Sequence, residues 1–123
     1  MIGPIIRPAT AADLAVFYGA IPGRSVRALV AELAGKPIAI AGIAYQQDGA
    51  PPYLFSDMKP EMRRFPVAII KGAREMLKRL ARPGLAAVAD PSKPNAGRVL
   101  ASLGFVHVAS GPQGEIYLFR GLH

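Results

Sequence analysis

Residues 66–82, PVAIIKGAREMLKRLAR, constrain this chain more than any other stretch. Val67, Ile70, Ala73, Leu77, Leu80 and Ala81 recur at steps of three and four. Lys71, Arg74, Glu75, Lys78, Arg79 and Arg82 fill the complementary positions. That is the pattern of an amphipathic helix with one buried face. Pro66 suits the first helical turn, where its missing N–H and fixed φ do no harm, and Pro83-Gly84 stops the helix. An apolar strand at 53–55 (YLF) precedes it, and a nearly continuous apolar run at 85–89 (LAAVA) follows. A strand of that second kind reads as buried on both faces, and a helical crossover brings it parallel to a neighbour. Any fold for this chain must therefore contain a sheet with at least one parallel step.

The rest of the chain supplies antiparallel strands. Residues 5–7 (IIR) form a short β-type run ended by Pro8, and Thr10 with Asp13 three residues on makes a loose capping box for a helix over 11–19. The GAIPG segment at 19–23 ends that helix and leaves no room for a second one. Residues 25–33 and 37–45 read as a hairpin about a Gly35-Lys36 turn, and Gly42 within the second strand predicts a bulge or a close backbone approach. Asp48-Gly49 and Pro51-Pro52 make the next turn, before the strand at 53–55. After the run at 85–89, residues 90–94 form a loop. Ala96, Val99, Leu100 and Leu103 form a short helix closed by Gly104, and residues 105–109 and 115–119 pair as a last hairpin. The predicted order is β-α-β-β-β-α-β-α-β-β: a single α/β domain over residues 1–123 with a mixed sheet of six to seven strands.

With 51% hydrophobic residues the chain can bury a real core and is not disordered. No apolar run reaches the roughly 18 residues of a membrane helix, so no membrane partner is expected. The N-terminus lacks the pattern of a signal peptide, and the expected location is cytoplasmic. With no cysteine and two histidines, neither thiolate chemistry nor a metal centre is indicated. The net charge of +7 favours anionic partners. Lys59, Arg63, Arg64, Lys71, Arg74, Lys78, Arg79 and Arg82 gather in the central stretch, against only Glu61 and Glu75. A charge run of this kind also serves as the solvated face of a helix. It lacks interleaved aromatics, which argues against nucleic acid as the partner.

The order of elements, with these residues, resembles the GNAT superfamily (GCN5-related N-acetyltransferases). IIRPATAADL is similar to the family's first strand and helix entry, and AGKPIAIAGIAY to its second-to-third strand turn. MKPEMRRFPVAII stands in the place of its acyl-CoA loop, and LASLGFVHV matches the frequent xxLGF ending of the last helix. The resemblance covers nearly the whole chain. It implies a GNAT-like mixed sheet and acetyl-CoA as cofactor, with Met58, Arg63, Arg64, Phe65, Val67, Ala68, Lys93 and Asn95 at the CoA site. Within the loop pattern Met58-Lys59-Pro60 takes the strand-end position and Arg63 the leading arginine. Pro66 replaces the first glycine, and Ala68 holds the second position. Glycine serves such loops because backbone must approach the phosphates, and proline removes one N–H outright. At the last helix the family's asparagine falls on Lys93, with Asn95 beside it, and the family's acid tyrosine falls on Leu100. Tyr45, Tyr53 and Tyr117 are candidates to replace it. Asp57 is the preferred candidate base over Glu61 and Asp90, while His107 reads as a satisfied structural histidine.

The resemblance implies an N-acyltransferase moving acetyl from acetyl-CoA to an amine by direct attack. The acceptor is a small molecule, a peptide or a protein, and a homodimer is compatible with the chain. The alternative is a catalytically degenerate GNAT-like domain that binds a partner or has a structural role, similar to compact members in phage and prophage gene sets.

Overall fold

The computed structural model describes residues 3–19, 25–45, 49–82, 84–93 and 95–121. Residues 20–23, Asp48, Pro83 and Pro94, to which the sequence assigns turns, lie outside that set. Along the chain run β1 (Ile5–Pro8), α1 (Ala11–Tyr18), β2 (Val26–Leu33), β3 (Lys36–Ala44) and β4 (Tyr53–Met58). A 3₁₀ turn (Pro60–Arg64) leads into α2 (Pro66–Leu80), followed by β5 (Ala86–Ala89), α3 (Ala96–Ser102), β6 (Phe105–Gly111) and β7 (Gly114–Phe119). This is the order that the sequence predicts, with the 3₁₀ turn added.

The capping box at the start of α1 forms as expected. The Asp13 N–H donates to the Thr10 hydroxyl at 3.3 Å, and the Thr10 N–H donates to the Asp13 carboxylate at 2.7 Å. Asp13 is buried, and its carboxylate also receives both terminal nitrogens of Arg7, at 2.6 and 2.9 Å. The Arg7 Nε reaches Glu32 at 3.0 Å, so a single ion-pair cluster ties β1, α1 and β2 together. The β2–β3 turn falls on Ala34 and Gly35, both with positive φ (52° and 80°), one residue before the predicted Gly35-Lys36 turn. At Gly42 the ladder runs in register against Ala28, and a Cβ there would lie 2.6 Å from the Ala28 Cβ. Gly42 is thus a close backbone approach, while the bulge sits between Ala31 and Glu32.

The seven strands form one sheet in the order β1-β2-β3-β4-β5-β7-β6. Every pairing is antiparallel except β4 with β5, the predicted parallel step. β7 inserts between β5 and β6, which leaves β6 at the sheet edge. On one face, α2 and α3 cover Leu29, Ile43, Leu85, Ala87, Phe105 and Phe119 with Met76, Leu77, Leu100 and Leu103. On the other face, α1 sets Tyr18 against Phe55 of β4. Among the described residues no helix is long and apolar enough to cross a membrane.

Two expectations need correction. The buried stripe of α2 runs through Ile69, Ala73, Met76, Leu77 and Leu80, while Val67 and Ile70 are 66% and 42% exposed. Ala73, Leu77, Leu80 and Ala81 pack against the core as predicted, and Ile69 and Met76 take the places expected of Val67 and Ile70. Gly72 lies within the covered side, where a Cβ would already be 3.4 Å from Ile6. β5 is not buried on both faces either: Leu85 and Ala87 face the core, whereas Val88 is 48% exposed. Both α2 and α3 pack on one side of the sheet, so β5 alternates.

Candidate functional site

The hydrogen-bond phase of β4 defines the site. The Lys59 N–H donates to the Ile38 carbonyl at 2.8 Å beyond the Ala39–Met58 pair. By the alternation of an antiparallel ladder, Tyr53, Phe55 and Asp57 then exchange main-chain bonds with β3. Leu54, Ser56 and Met58 direct theirs the opposite way, toward β5. Yet β5 meets β4 in register at only one place, Tyr53 opposite Ala86, where the Ala86 N–H donates to the Pro52 carbonyl at 2.9 Å. Beyond that vertex β5 continues along β7 as far as Ala89, and β4 continues along β3 as far as Met58. The two strands splay, and the main-chain groups of Ser56 and Met58 open onto the gap.

Beneath the gap, between the sheet and the two helices, lies a cavity of about 170 Å³. Ala41, Leu54, Ala68, Gly72, Val99 and Leu100 belong to its lining, which is apolar apart from Ser56 and Asp57. Leu100, at the position of the family's acid tyrosine, is buried in this wall and supplies no proton.

The loop between β4 and α2 is less open than the sequence implies. It folds as a 3₁₀ turn in which the Met62 N–H donates to Lys59 and the Phe65 N–H donates to Met62, both at 3.0 Å. Phe65 was expected at the CoA site; its amide is consumed inside the turn. Pro66 has no N–H, and the Ile69 N–H returns to the Phe65 carbonyl at 3.0 Å. The first-turn donors left at the head of α2 are therefore Val67 and Ala68. Arg63 and Arg64 are exposed at the end of the 3₁₀ turn, Lys59 is exposed just before it, and Ala68 lines the cavity. This is a helix N-terminus with two free amides, flanked by Arg63 and Arg64, at the rim of an apolar cleft; the Lys59 ammonium lies over Phe17 of α1 instead. Such a junction suits a phosphate joined to an apolar arm.

Lys93 and Asn95 lie in the connection between β5 and α3, and neither belongs to the cavity lining. The Lys93 N–H donates to Asp90 at 3.0 Å, and Asn95 is the N-cap residue of α3 without a capping bond from its side chain. Asp90 is a turn residue: its carboxylate accepts from the Ser92 N–H (2.9 Å) and hydroxyl (2.8 Å), which hold it below the usual carboxylate range. Tyr53 sits at the closed vertex of the splay, and Asp57 sits at the open end. Tyr45 and Tyr117 pack against the core, with the Tyr117 hydroxyl close to Gly97 at the start of α3. His107 is satisfied but not buried. It pairs with Glu115 at 2.6 Å, half-exposed on the edge strand, and rests edge-on against Tyr117. The Ser110 hydroxyl, with the His107 ring second, depresses the Glu115 pKa.

One part of the site was missed in the sequence. Tyr18, which the sequence places only within the helix over 11–19, donates its hydroxyl to Asp57 and packs edge-on against Phe55 at 5.8 Å. Burial, and then the hydrogen bond to Asp57, raise its hydroxyl pKa well above the usual phenol range. Tyr18 shares a helix with the predicted cap but meets a strand far along the chain, so no local pattern pairs it with Asp57.

No protein-family model and no curated protein matches the sequence. Solved structures do match. The aminoglycoside acetyltransferase AAC(6')-Ib in complex with coenzyme A and kanamycin superposes with a TM-score of 0.64 at 17% identity, covering 94% of this chain and 92% of that one. The GNAT domain of PAT from S. lividans gives 0.62 at 14% identity, covering 94% and 88%. The spermidine/spermine N-acetyltransferase SpeG from Vibrio cholerae gives 0.61 at 11%, covering 94% and 91%. At these identities the likeness is one of fold. The fold is that of the GNAT acetyltransferases.

Proposed function

We propose that this GNAT-fold chain is an N-acyltransferase that moves acetyl from acetyl-CoA to an amine by direct attack. The observation that carries the reading is the splay of β4 from β5 above an apolar cavity. A continuous pairing there would close the sheet to any ligand. A gap lined by Leu54, Ser56 and Val99 instead suits a slender, mostly apolar arm with a few amides. Among the fold neighbours, AAC(6')-Ib is bound to coenzyme A, which supports the same use of this cleft.

In this reading the amides of Val67 and Ala68 and the guanidinium groups of Arg63 and Arg64 hold the pyrophosphate. Bound acetyl-CoA supplies the activated acetyl group. The main-chain N–H groups of Ser56 and Met58, which open onto the gap, would orient an acyl carbonyl and stabilise the charge that develops on its oxygen. Asp57, at the open end of β4, accepts a proton from the amine; Tyr53, at the vertex, lies too far along the strand to share that step. Leu100, at the position of the family's acid tyrosine, would give the departing sulfur no proton. General acid catalysis is worth about 10²–10⁴-fold, so a slow enzyme resting mostly on positioning is expected.

Calorimetric titration with coenzyme A tests this reading. Binding in the micromolar range is expected, weakened about tenfold in Arg63→Ala by loss of a charge-assisted contact. No heat at millimolar coenzyme A would overturn it and leave a binding module. Pro66→Ala makes a sharper demand. It restores an N–H at the head of α2 where one phosphate donor is absent, so affinity should rise about three- to tenfold. Thermal stability should barely move, because that N–H has no partner in the helix. Unchanged affinity in Pro66→Ala would show that the phosphates do not sit at this helix end.

A further inference from the structure

The cavity extends well past what an arm at the gap needs. From Leu54 and Ser56 of β4 its lining passes under Ala39 and Ala41 of β3 and Ala31 of β2 to Ile6 of β1. Neighbouring strands lie about 4.8 Å apart, so the void runs roughly 14 Å across the sheet, away from β5. Ser56 and Asp57 both belong to β4, at the mouth. The lining contributed by β1, β2, β3, the 3₁₀ turn and the helices is apolar throughout. The arm of coenzyme A carries amides, which would go without partners there. Hydrocarbon has no such need.

Small side chains make the room. Ala31, Ala39 and Ala41 line it from the sheet, and Ala68, Gly72 and Ala73 line it from α2. The core is correspondingly split into two clusters, and the cavity touches both. One lies around Leu29, Met76 and Leu77, the other around Ala31, Ile38 and Met62. An unfilled void of this kind costs stability, because its walls lose their contacts. Gly72 adds to that cost, since glycine within a helix is unfavourable beside alanine. Packing does not require it: a Cβ at 72 would meet the Ile6 Cδ1 at 3.4 Å, an ordinary contact. What glycine gives at 72 is space.

We infer that this chamber is an acyl pocket, and that the donor carries a straight acyl chain of about six carbons rather than acetyl alone. The inference rests on the acyltransferase reading above and changes only the length of the acyl group. With the thioester at the main-chain groups of Ser56 and Met58, the arm leaves the gap toward the head of α2. The acyl chain runs the other way, under β3 and β2. A dry apolar cavity of about 150 Å³ takes a molecule of benzene. At about 170 Å³ this one has room for a group of similar size. Its length across the strands suits a chain better than a ring. Each methylene moved from water into such walls is worth about fourfold in affinity.

The test is calorimetric titration of the full chain with coenzyme A and its acetyl, hexanoyl and decanoyl thioesters. Hexanoyl-CoA should bind at least about tenfold more tightly than acetyl-CoA. Decanoyl-CoA should bind no more tightly than hexanoyl-CoA, because the chamber is then full. Gly72→Leu fills the chamber from the helix, and Ala39→Leu fills it from the sheet. Each should weaken hexanoyl-CoA by at least about tenfold and change the affinity for coenzyme A less than about twofold, since only the acyl contacts are displaced. A melt of the same preparation shows that the domain is folded. Equal affinity for the acetyl and hexanoyl thioesters, or an affinity that keeps rising to decanoyl, would overturn the inference and leave the acyltransferase reading standing. So would a hexanoyl preference that survives in both variants. Failure to bind coenzyme A or any thioester would overturn the acyltransferase reading and the inference with it. The thioester series on the native chain decides the matter even where a variant does not fold.

Discussion

Ala41→Phe is expected to abolish coenzyme A binding while the domain stays folded. Ala41 faces Ser56 across the β3–β4 ladder and lines the cavity. The hydrogen-bond phase makes theirs a non-bonded pair, the arrangement in which side chains stand closest. A ring on Ala41 therefore rises beside Ser56, in the opening where β4 has left β5. Overpacking a filled core typically costs about 1–3 kcal/mol, but the cavity of about 170 Å³ takes part of the added volume. The expected result is a loss of affinity for coenzyme A of more than about a hundredfold, since a blocked cleft forfeits the contacts of the whole arm. The thermal midpoint should fall by only a few degrees. Calorimetry and a melt on the same preparation check both halves. Coenzyme A binding retained by a folded Ala41→Phe protein would place the arm elsewhere and remove the splay as the basis for function.

That opening was not legible in the sequence, although the strands that form it were. The residues at 53–58 and 85–89 read as neighbouring strands because a helix of crossover length joins them. Whether two parallel neighbours pair along their length depends on twist. Here the partner that β5 follows is β7, a strand from the far end of the chain. No residue in either strand announces that choice. Local chemistry was legible wherever it is self-contained: the Thr10–Asp13 box, the proline at the head of α2, and the glycine at 42, which only a close approach requires. The inward face of the first turns of α2 was not, because Val67, Ile69 and Ile70 permit two overlapping apolar stripes. Packing against Ile6 and β2 decided between them. The site divides the same way. Arg63, Arg64, Val67 and Ala68 follow from their place in the loop pattern, and they gather at one helix end. The loss of the Phe65 amide to a 3₁₀ turn, and the arrival of Tyr18 at Asp57, are long-range or conformational facts that a motif does not encode.

Asp13→Asn should be the most destabilising conservative change in the chain, and its effect should fade in acid. The carboxylate holds Arg7 through two bonds and takes the Thr10 N–H and hydroxyl, at 7% side-chain exposure. Removing one partner of a buried ion pair typically costs about 3–5 kcal/mol. The Arg7 side chain is 30% exposed and keeps Glu32, so the lower end applies. About 2–3 kcal/mol, or roughly 8–12 °C in the thermal midpoint of a domain this size, is expected near neutral pH. The pH dependence separates a charge effect from a shape effect. The Arg7 guanidinium above all, against a smaller opposing effect of burial, holds the Asp13 carboxyl well below the usual carboxylate range. Its pKa is therefore lower folded than unfolded. The unfolded chain takes up the proton first, so the stabilisation is complete above the unfolded value of about 3.9 and is lost as pH falls through it toward the folded value. Melting curves from pH 7 down to about 2 should show the native protein losing its advantage over Asp13→Asn below about pH 4, with the two midpoints converging. Parallel curves across that range would mean that the side chain acts through packing and capping alone, and that the Arg7 ion pair contributes nothing net to the fold.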